Sequence, residues 1–398
     1  MSPRRTLFRH AVAWLLAAAV AACGGGVETG GTGPTGSAYV EGPISGFGSI
    51  VVGGIRLDDS SARVVDADGS TKSRDDLRLG MVVEVESGRI GDDGSGNRVG
   101  TASQVRVGAQ LLGPVTLLDL PNSRVVVLGQ RVRLTAATSL DGLAGGTAGL
   151  RIGDVVEVHG FFDASGVVAN YVATRVARPA TAPLAYRVRG PAREVDAGTR
   201  TLRIGAQVFD LGATGLPPGL VEGAFVRLVV QTAQSGGRWV ATSAVVESRQ
   251  LAERDDAELE GLVTAFTSAA RWAVNGVAVD ATNAAFPQGS AGLGLGVRVK
   301  VRGRATAGGV AATSVELRSD DDVYNEGIDL RDTIAALDTT AKTFALRGLT
   351  VFYGTSPPPR YDHGAEGDLA NGRRVRVRAT FDADRTRLTA QRIEFVNN

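Results

Sequence analysis

Cysteine and histidine are almost absent from this 398-residue chain, and each shortage excludes a class of site. Cys23 is the only cysteine, so no disulfide can form within the chain. Only His159 and His363 follow it, and they lie in distant segments. A histidine-based metal site or a Ser-His-Asp triad would have to be built from those two residues. The sequence therefore predicts no catalytic residues, no metal site and no cofactor.

The chain also lacks an excess of charge of either sign, and it lacks long apolar runs. The chain carries 43 basic and 42 acidic residues. Residues 1–22 hold three arginines and no acid, so without them the balance is 40 minus 42, or −2. A chain of this charge has no electrostatic footprint for nucleic acid, which is excluded as a partner. No run of eighteen apolar residues occurs, so no transmembrane helix is predicted.

The N-terminus has the composition of an export signal. A basic stretch with Arg4, Arg5 and Arg9 precedes the apolar residues 11–22, a segment too short to span a bilayer. It ends in Val20-Ala-Ala-Cys23, which resembles the lipobox of bacterial lipoproteins. The resemblance implies a signal peptide at 1–22, cleavage before Cys23 and lipid attachment to that cysteine. An ordinary secretory signal, or twin-arginine export through Arg4-Arg5, are the alternatives.

A Gly/Thr/Pro-rich stretch follows the cysteine. Residues 23–38 cannot build a core and are predicted to form a flexible tether. Residue 24 is glycine rather than aspartate, which favours the outer membrane where an Asp-based retention rule applies. The predicted location is the cell envelope, as an outer-membrane lipoprotein facing the periplasm or the cell surface, with the membrane as a partner through the lipid on Cys23.

The rest of the chain repeats itself five times. Each unit contains a glycine followed by a strand with alternating apolar and charged residues, and these glycines are 70 to 76 residues apart. They are Gly80, Gly153, Gly223, Gly296 and Gly372. The predicted repeats are 39–108, 109–179, 180–250, 256–319 and a divergent fifth at 322–396. Short strands at this spacing close best into small barrels, so we expect an all-β tandem array of about five antiparallel, oligonucleotide/oligosaccharide-binding-like (OB-like) barrels.

The strand after each glycine carries one charged residue between two apolar ones. The alternation predicts that the apolar side chains face the core and the charges face solvent. The five charges are Glu84, Glu157, Arg227, Lys300 and Arg376. Their change from acidic to basic along the chain either polarises the array or reflects drift on a solvated face, and we favour drift.

Several of these segments resemble a known family. Gly46-Phe-Gly-Ser-Ile-Val-Val-Gly-Gly, Asp75-Asp-Leu-Arg-Leu-Gly-Met-Val-Val-Glu-Val and Gly153-Asp-Val-Val-Glu-Val-His-Gly-Phe are similar to bacterial repeat lipoproteins of the domain-of-unknown-function 5666 family. The motifs are clearest in the first two repeats and weakest in the fifth, which lacks the opening Gly-Pro. The resemblance implies export and tandem small β domains, and it carries no activity.

Four short segments and one histidine have side chains that suit chemistry, and each has a simpler interpretation. Residues 92–97 offer oxygens as calcium loops do, but a hairpin turn is favoured. Residues 320–322, with Glu326 nearby, are interpreted as a solvated linker rather than a cation site. Residues 46–49 are interpreted as a turn rather than a phosphate loop. His159 is expected at the surface or rim. Residues 361–363, in the long Pro-rich loop, are interpreted as a tolerated insertion rather than a binding loop.

Together these features favour a lipid-anchored, non-enzymatic scaffold or interaction module with an envelope protein or glycan as partner. The alternative is an array that binds glycan, peptidoglycan or another ligand on the barrel faces. That alternative needs exposed aromatic residues on a shared face, and aromatic residues make up only 5% of the chain. The aromatic candidates for such a face are Phe47, Phe161, Phe162, Trp239 and Trp272. An enzyme is the least favoured class of protein.

Overall fold

The computed structural model describes residues 36–94, 96–143, 145–167, 170–320, 322 and 327–396. Cys23, the predicted signal peptide and most of the predicted tether lie outside the described residues. Residues 36–398 group into a single unit by their contacts. The described residues form strands joined by turns and five short 3-10 helices. No helix among them is long and apolar enough to cross a membrane.

The strands group into five successive barrels, numbered here in chain order. Barrel 1 comprises β1 (Ser37–Phe47), β2 (Ile50–Val52), β3 (Ile55–Asp58), β4 (Arg63–Asp66), β5 (Val82–Gly88), β6 (Gly91–Asp92) and β7 (Arg98–Val107). Barrel 2 comprises β8 (Leu111–Asp119), β9 (Arg124–Val127), β10 (Gln130–Arg133), β11 (Ser139–Asp141), β12 (Val155–Phe162) and β13 (Tyr171–Ala177). Barrel 3 comprises β14 (Tyr186–Pro191), β15 (Arg193–Asp196), β16 (Thr201–Ile204), β17 (Gln207–Asp210), β18 (Phe225–Ser235) and β19 (Arg238–Val246).

The last two barrels follow the same plan. Barrel 4 comprises β20 (Arg254–Ser268), β21 (Arg271–Val274), β22 (Val277–Asp280), β23 (Arg298–Thr306) and β24 (Gly309–Arg318). Barrel 5 comprises β25 (Ile328–Thr333), β26 (Ala335–Asp338), β27 (Thr343–Leu346), β28 (Leu349–Phe352), β29 (Arg360–Asp362), β30 (Arg374–Phe381) and β31 (Leu388–Phe395). The 3-10 helices are Arg74–Asp76, Leu120–Asn122, Gly146–Gly149, Gly212–Thr214 and Glu366–Asp368.

The strand pairing confirms the predicted barrels. In barrel 1, β1 pairs with β2, β2 with β3, β3 in parallel with β7, β7 with β5, and β5 with β1, which closes the sheet. Barrel 4 repeats this order with one strand for each position. Counted by position, the order is 1-2-3-5-4-1 with strands 3 and 5 parallel, which is the OB topology.

The barrels are joined by hydrogen bonds in an order that differs from their order in the chain. Barrels 1, 4 and 5 share one sheet of 19 strands, and barrels 2 and 3 share another of 12. Strand β1 pairs in parallel with β20 through residues 38–41 and 256–259, and its end pairs with β25. Strand β8 pairs with β14. The pairing satisfies backbone groups that a free edge strand would expose.

The apolar side chains inside the barrels form the core. One buried cluster runs through barrels 1 and 5, a second through barrels 2 and 3, and a third fills barrel 4. The apolar residues that flank each repeated charge are buried, as the alternation predicted. Val83 and Val85 in barrel 1, for example, are 1% and 0% exposed.

Barrel 1 meets barrel 2 at a glycine that tolerates no side chain. The Thr174 hydroxyl donates a hydrogen bond of 2.6 Å to the carbonyl of Gly80. A Cβ atom added at Gly80 would lie 2.4 Å from the Thr174 carbonyl oxygen. The equivalent glycine in barrel 2, Gly153, has nothing within 4 Å of such an atom. In barrel 1 the repeated glycine both forms the turn before the strand and allows close contact with barrel 2. In barrel 2 it only forms the turn.

Replacing Gly80 with alanine is expected to destabilise the protein by about 1–3 kcal/mol more than replacing Gly153 with alanine. Both glycines have positive φ, +77° and +92°, so the backbone strain of the two substitutions is similar. Only the Gly80 substitution adds a clash between barrels. Urea unfolding of both variants measures the difference, and equal losses would show that the barrel 1–2 contact is absent.

Candidate functional site

The repeated charged residues are partly or fully buried and form ion pairs, some within one barrel and some between barrels, which corrects the prediction that they face solvent. Glu84 and Lys300 belong to a charged junction of barrels 1 and 4, described below. Arg227 pairs with Asp68 of barrel 1 and with Glu247. Arg376 pairs at 2.6 Å with Asp329 of its own barrel, and Asp329 also pairs with Arg56 of barrel 1. The alternation located the core correctly. The side chains on the opposite face are partly or fully covered, and Glu84 and Arg227 reach partners outside their own barrels.

Arg249, from the segment that connects barrels 3 and 4, is the centre of that junction. Its guanidinium donates to both carboxylate oxygens of Glu41, at 2.8 and 3.0 Å, and to Glu84 at 2.6 Å. It also donates to the backbone carbonyl of Asn275 in barrel 4 at 3.1 Å. Glu41 is only 2% exposed, and burial raises its pKa while the charge of Arg249 opposes that rise.

A second buried carboxylate lies in the same junction. Glu258 of β20 is fully buried and pairs with Arg98 of barrel 1 and with Lys300 and Arg302 of β23. The distances to Lys300 and Arg302 are 3.4 and 3.1 Å. A buried charge is stable only when it is paired. The arrangement therefore stabilises one relative position of barrels 1 and 4.

His159 is buried, so its expected place at the surface or rim is wrong. It is 2% exposed, and its Nε2 lies 2.8 Å from a carboxylate oxygen of Glu157 on the same strand. Burial alone would raise the pKa of Glu157, but the hydrogen bond and charge of His159, together with the charge of Arg175, lower it to about 2. The pair lies where barrel 2 faces Arg187 of barrel 3, a contact that the sequence pattern did not reveal.

Glu157 is expected to stabilise the protein above pH 4.5 and to lose that effect as the pH falls toward 2. The reason is that its pKa in the folded state, about 2, lies below the ordinary value of 4.5. The urea midpoint of the Glu157→Gln variant should therefore fall less than that of the wild type between pH 4.5 and pH 2. Glu222→Gln, at a side chain that is 57% exposed, is the matched control. Parallel pH profiles for wild type and Glu157→Gln would contradict the assignment.

The other polar segments considered in the sequence form turns or ion pairs where the structure describes them. In the 92–97 segment, β6 pairs with β7 and Asp92 accepts from the backbone of Gly94, which confirms the hairpin turn. Residues 46–49 end β1 and turn into β2, as predicted. Asp320 pairs with Arg133 at 2.6 Å, so this part of the predicted solvated linker contacts barrel 2. Residue 321 and Glu326 lie outside the described residues. In the described part of the chain, no three His, Cys, Asp or Glu side chains group to hold a metal.

The long loop of barrel 5 packs on its own barrel. Residues 360–362 form β29, which pairs in parallel with β31. In barrels 1 and 2, β4 and β11 pair in the same way with the last strand. The insertion therefore occupies a position that two other barrels also fill. Asp362 pairs with Arg360 and Arg392, and His363 is exposed with Glu394 3.9 Å away.

The aromatic candidates for sugar stacking lie mainly inside the barrels. Four of the five are at most 7% exposed, and Phe162, which is partly buried, packs edge-on against Tyr171 and Phe225. These side chains hold the core together through their apolar area. The four buried residues are Phe47, Phe161, Trp239 and Trp272.

Barrel 3 carries an open polar groove that sequence reasoning missed. The groove measures about 670 Å³ and is lined by Glu194, Asp196, Thr199, Arg203 and Arg238. These residues lie on strands β15 and β16, in the loop that connects them, and at the start of β19. This is the face formed by strands 2 and 3 and the 1–2 and 4–5 loops, on which OB barrels bind ligands. Separate turns in the sequence supply the groove, so only the barrel topology brings them together.

Comparison with known protein families identifies the family to which three of these barrels belong. Residues 113–177, 260–316 and 333–394 each match the model described as Domain of unknown function (DUF5666). No curated protein matches the chain. The matches fall in barrels 2, 4 and 5, so the fifth repeat belongs to the family although its motifs were the weakest. The suspected family is confirmed, and barrels 2, 4 and 5 of this chain belong to the DUF5666 family of domains of unknown function.

Proposed function

We propose that this chain is a lipid-anchored protein of the bacterial cell envelope that acts as a non-enzymatic scaffold or interaction module. The observation that carries the proposal is the pairing of β1 with both β20 and β25. It makes barrels 1, 4 and 5 one hydrogen-bonded sheet. The charged side chains of the repeated strands are used in ion pairs within and between barrels rather than gathered around a reacting group.

Attachment through Cys23 is part of the proposal. A lipid on that cysteine would hold the barrels at the membrane, with residues 23–38 as the tether, and the outer membrane is the proposed location. Firm attachment needs more than one acyl chain, which the mature N-terminus of a lipoprotein supplies. The Cys23→Ala protein should leave the membrane fraction after cell fractionation. If it remained there through its N-terminus, the anchor would be assigned wrongly.

An activity assay with a panel of substrates distinguishes a non-enzymatic interaction module from an enzyme. The purified full-length protein should turn over none of a broad set of ester, glycoside and peptide substrates. Turnover that a single side-chain substitution abolishes, in a variant with an unchanged circular dichroism spectrum, would overturn the proposal. Loss of turnover through unfolding would not, so the spectrum is the necessary control.

The groove of barrel 3 favours a second candidate, binding of glycan or peptidoglycan. Arg238 is exposed and forms no side-chain hydrogen bond or ion pair with any described residue, so its guanidinium is available to a ligand. Arg238→Ala should reduce retention of the protein on insoluble peptidoglycan. Arg271→Ala, at an arginine that is 68% exposed on barrel 4, is the control. Equal retention of both variants and the wild type would remove the groove from consideration.

A further inference from the structure

A small cavity lies where barrels 1, 2, 4 and 5 meet. Its volume is about 60 Å³, and each of the four barrels contributes to its wall. Barrel 4 supplies Arg298, barrel 2 supplies Ser139, and barrel 5 supplies Thr380. The barrel 3 groove lies elsewhere, and the proposed function makes no use of this cavity.

Three buried side chains present unused hydrogen-bonding atoms to the cavity. Arg298, Ser139 and Thr380 are 6%, 2% and 9% exposed. The Nε and Nη2 atoms of Arg298 both donate to one oxygen of Glu260, at 3.0 and 2.7 Å. Its Nη1 atom and the two hydroxyls form no hydrogen bond with any residue that the structure describes. None of these three atoms is sealed from solvent, so each can hydrogen-bond to water or to a small ligand in the cavity.

The remaining wall is apolar. Ile44 and Leu79 of barrel 1 and Ile328 of barrel 5 line the same space. One water molecule needs about 10–15 Å³ of cavity volume, so this cavity holds roughly four to six non-hydrogen atoms, each about the size of a water molecule. A partner must therefore be small, with oxygen acceptors for the three donor groups and a short apolar part for the aliphatic wall.

We infer that this cavity binds a small monocarboxylate of the size of acetate. A carboxylate supplies two acceptor oxygens, and an arginine with two of its five N–H groups in use still has others to donate. Arg298, the one charged residue that lines the cavity, already pairs with Glu260, so each negative charge added there is costly and a singly charged ligand is favoured over a doubly charged phosphate. A ligand in this position would contact four barrels at once and so stabilise their packing.

Thermal unfolding of the full-length protein at pH 7 tests the inference with sodium acetate as the probe. Acetate should raise the melting temperature in a saturable way, whereas sodium chloride at equal ionic strength should not. Thr380→Val and Ser139→Ala should each weaken acetate binding about tenfold, since each removes one hydrogen bond to a charged group. Thr350→Val, at an exposed threonine of the same barrel, should leave acetate binding unchanged.

Three results would overturn the inference. The first is no saturable response to acetate. The second is an acetate response that Thr380→Val and Ser139→Ala both leave intact, which would place the binding elsewhere. The third is a response to sodium phosphate without one to acetate. Two variants with small changes are used because substitution of Arg298 would also leave Glu260 unpaired.

Discussion

Replacing Glu258 with alanine is expected to lower the free energy of unfolding by about 3–5 kcal/mol. Glu258 is fully buried and is the common partner of Arg98, Lys300 and Arg302. Lys300 is itself only 6% exposed. Removing the carboxylate leaves a buried ammonium group with no opposite charge, which is among the most costly changes a core can undergo.

Urea unfolding followed by tryptophan fluorescence measures this loss, because Trp272 is buried in the same barrel. The control is Glu194→Ala on barrel 3, which removes an ion pair with Arg203 at a side chain that is 61% exposed. Exposed pairs contribute little, so the control should lose less than about 1 kcal/mol. Similar small losses in both variants would mean that the junction of barrels 1 and 4 is open to water.

Replacing Arg249 with alanine should have an effect of comparable size and a distinctive dependence on pH. The substitution leaves Glu41, 2% exposed, with hydrogen bonds from Tyr39 and Asn275 but without a cation. The pKa of Glu41 is already raised by burial, and loss of Arg249 should raise it further. At neutral pH the cost should reach about 3–5 kcal/mol, as for a buried pair that loses one partner.

The sign of the pH effect follows from the raised pKa of Glu41. A carboxyl with a raised pKa in the folded state loses its stabilising effect as the pH rises through that pKa. The cost of Arg249→Ala should therefore shrink as the pH falls toward 4.5, the ordinary value for glutamate. Arg254→Ala, which removes a 3.5 Å contact with the exposed Glu86, is the control from the same region. A loss independent of pH would show that Arg249 acts through packing alone.

The interior of each barrel could be predicted from the sequence, because the side chains of a strand alternate between its two faces. Val83 and Val85 are buried on either side of Glu84, and the same pattern recurs at each repeated glycine. Strand order could also be anticipated, since short antiparallel strands leave few other ways to remove exposed edges.

The contacts between barrels could not be predicted in the same way. A charge that alternates with apolar residues has the same pattern whether it faces water or another barrel, so Lys300 and His159 were both placed in solvent. Glu258 becomes the partner of Lys300 only once β20 and β23 are paired. His159 has its partner Glu157 on the same strand, and the alternation does not show that this face of the strand is covered. The groove of barrel 3 and the cavity at Arg298 were missed for the same reason, because each gathers residues from separate turns or separate barrels.

Disulfide cross-linking tests most directly the central claim, that barrels 1 and 4 form one body although two barrels separate them in the chain. Residues 38 and 256 face each other across β1 and β20. Because Cys23 is the only cysteine, the Cys23→Ala protein offers a background free of other thiols. Cysteines at 38 and 256 should form a disulfide on mild oxidation, seen as a change in mobility on non-reducing gels, because paired strands hold Cα atoms within disulfide range. A matched pair at 38 and 271 should not. Failure of the first pair to cross-link in folded protein, or equal cross-linking of both pairs, would contradict the account.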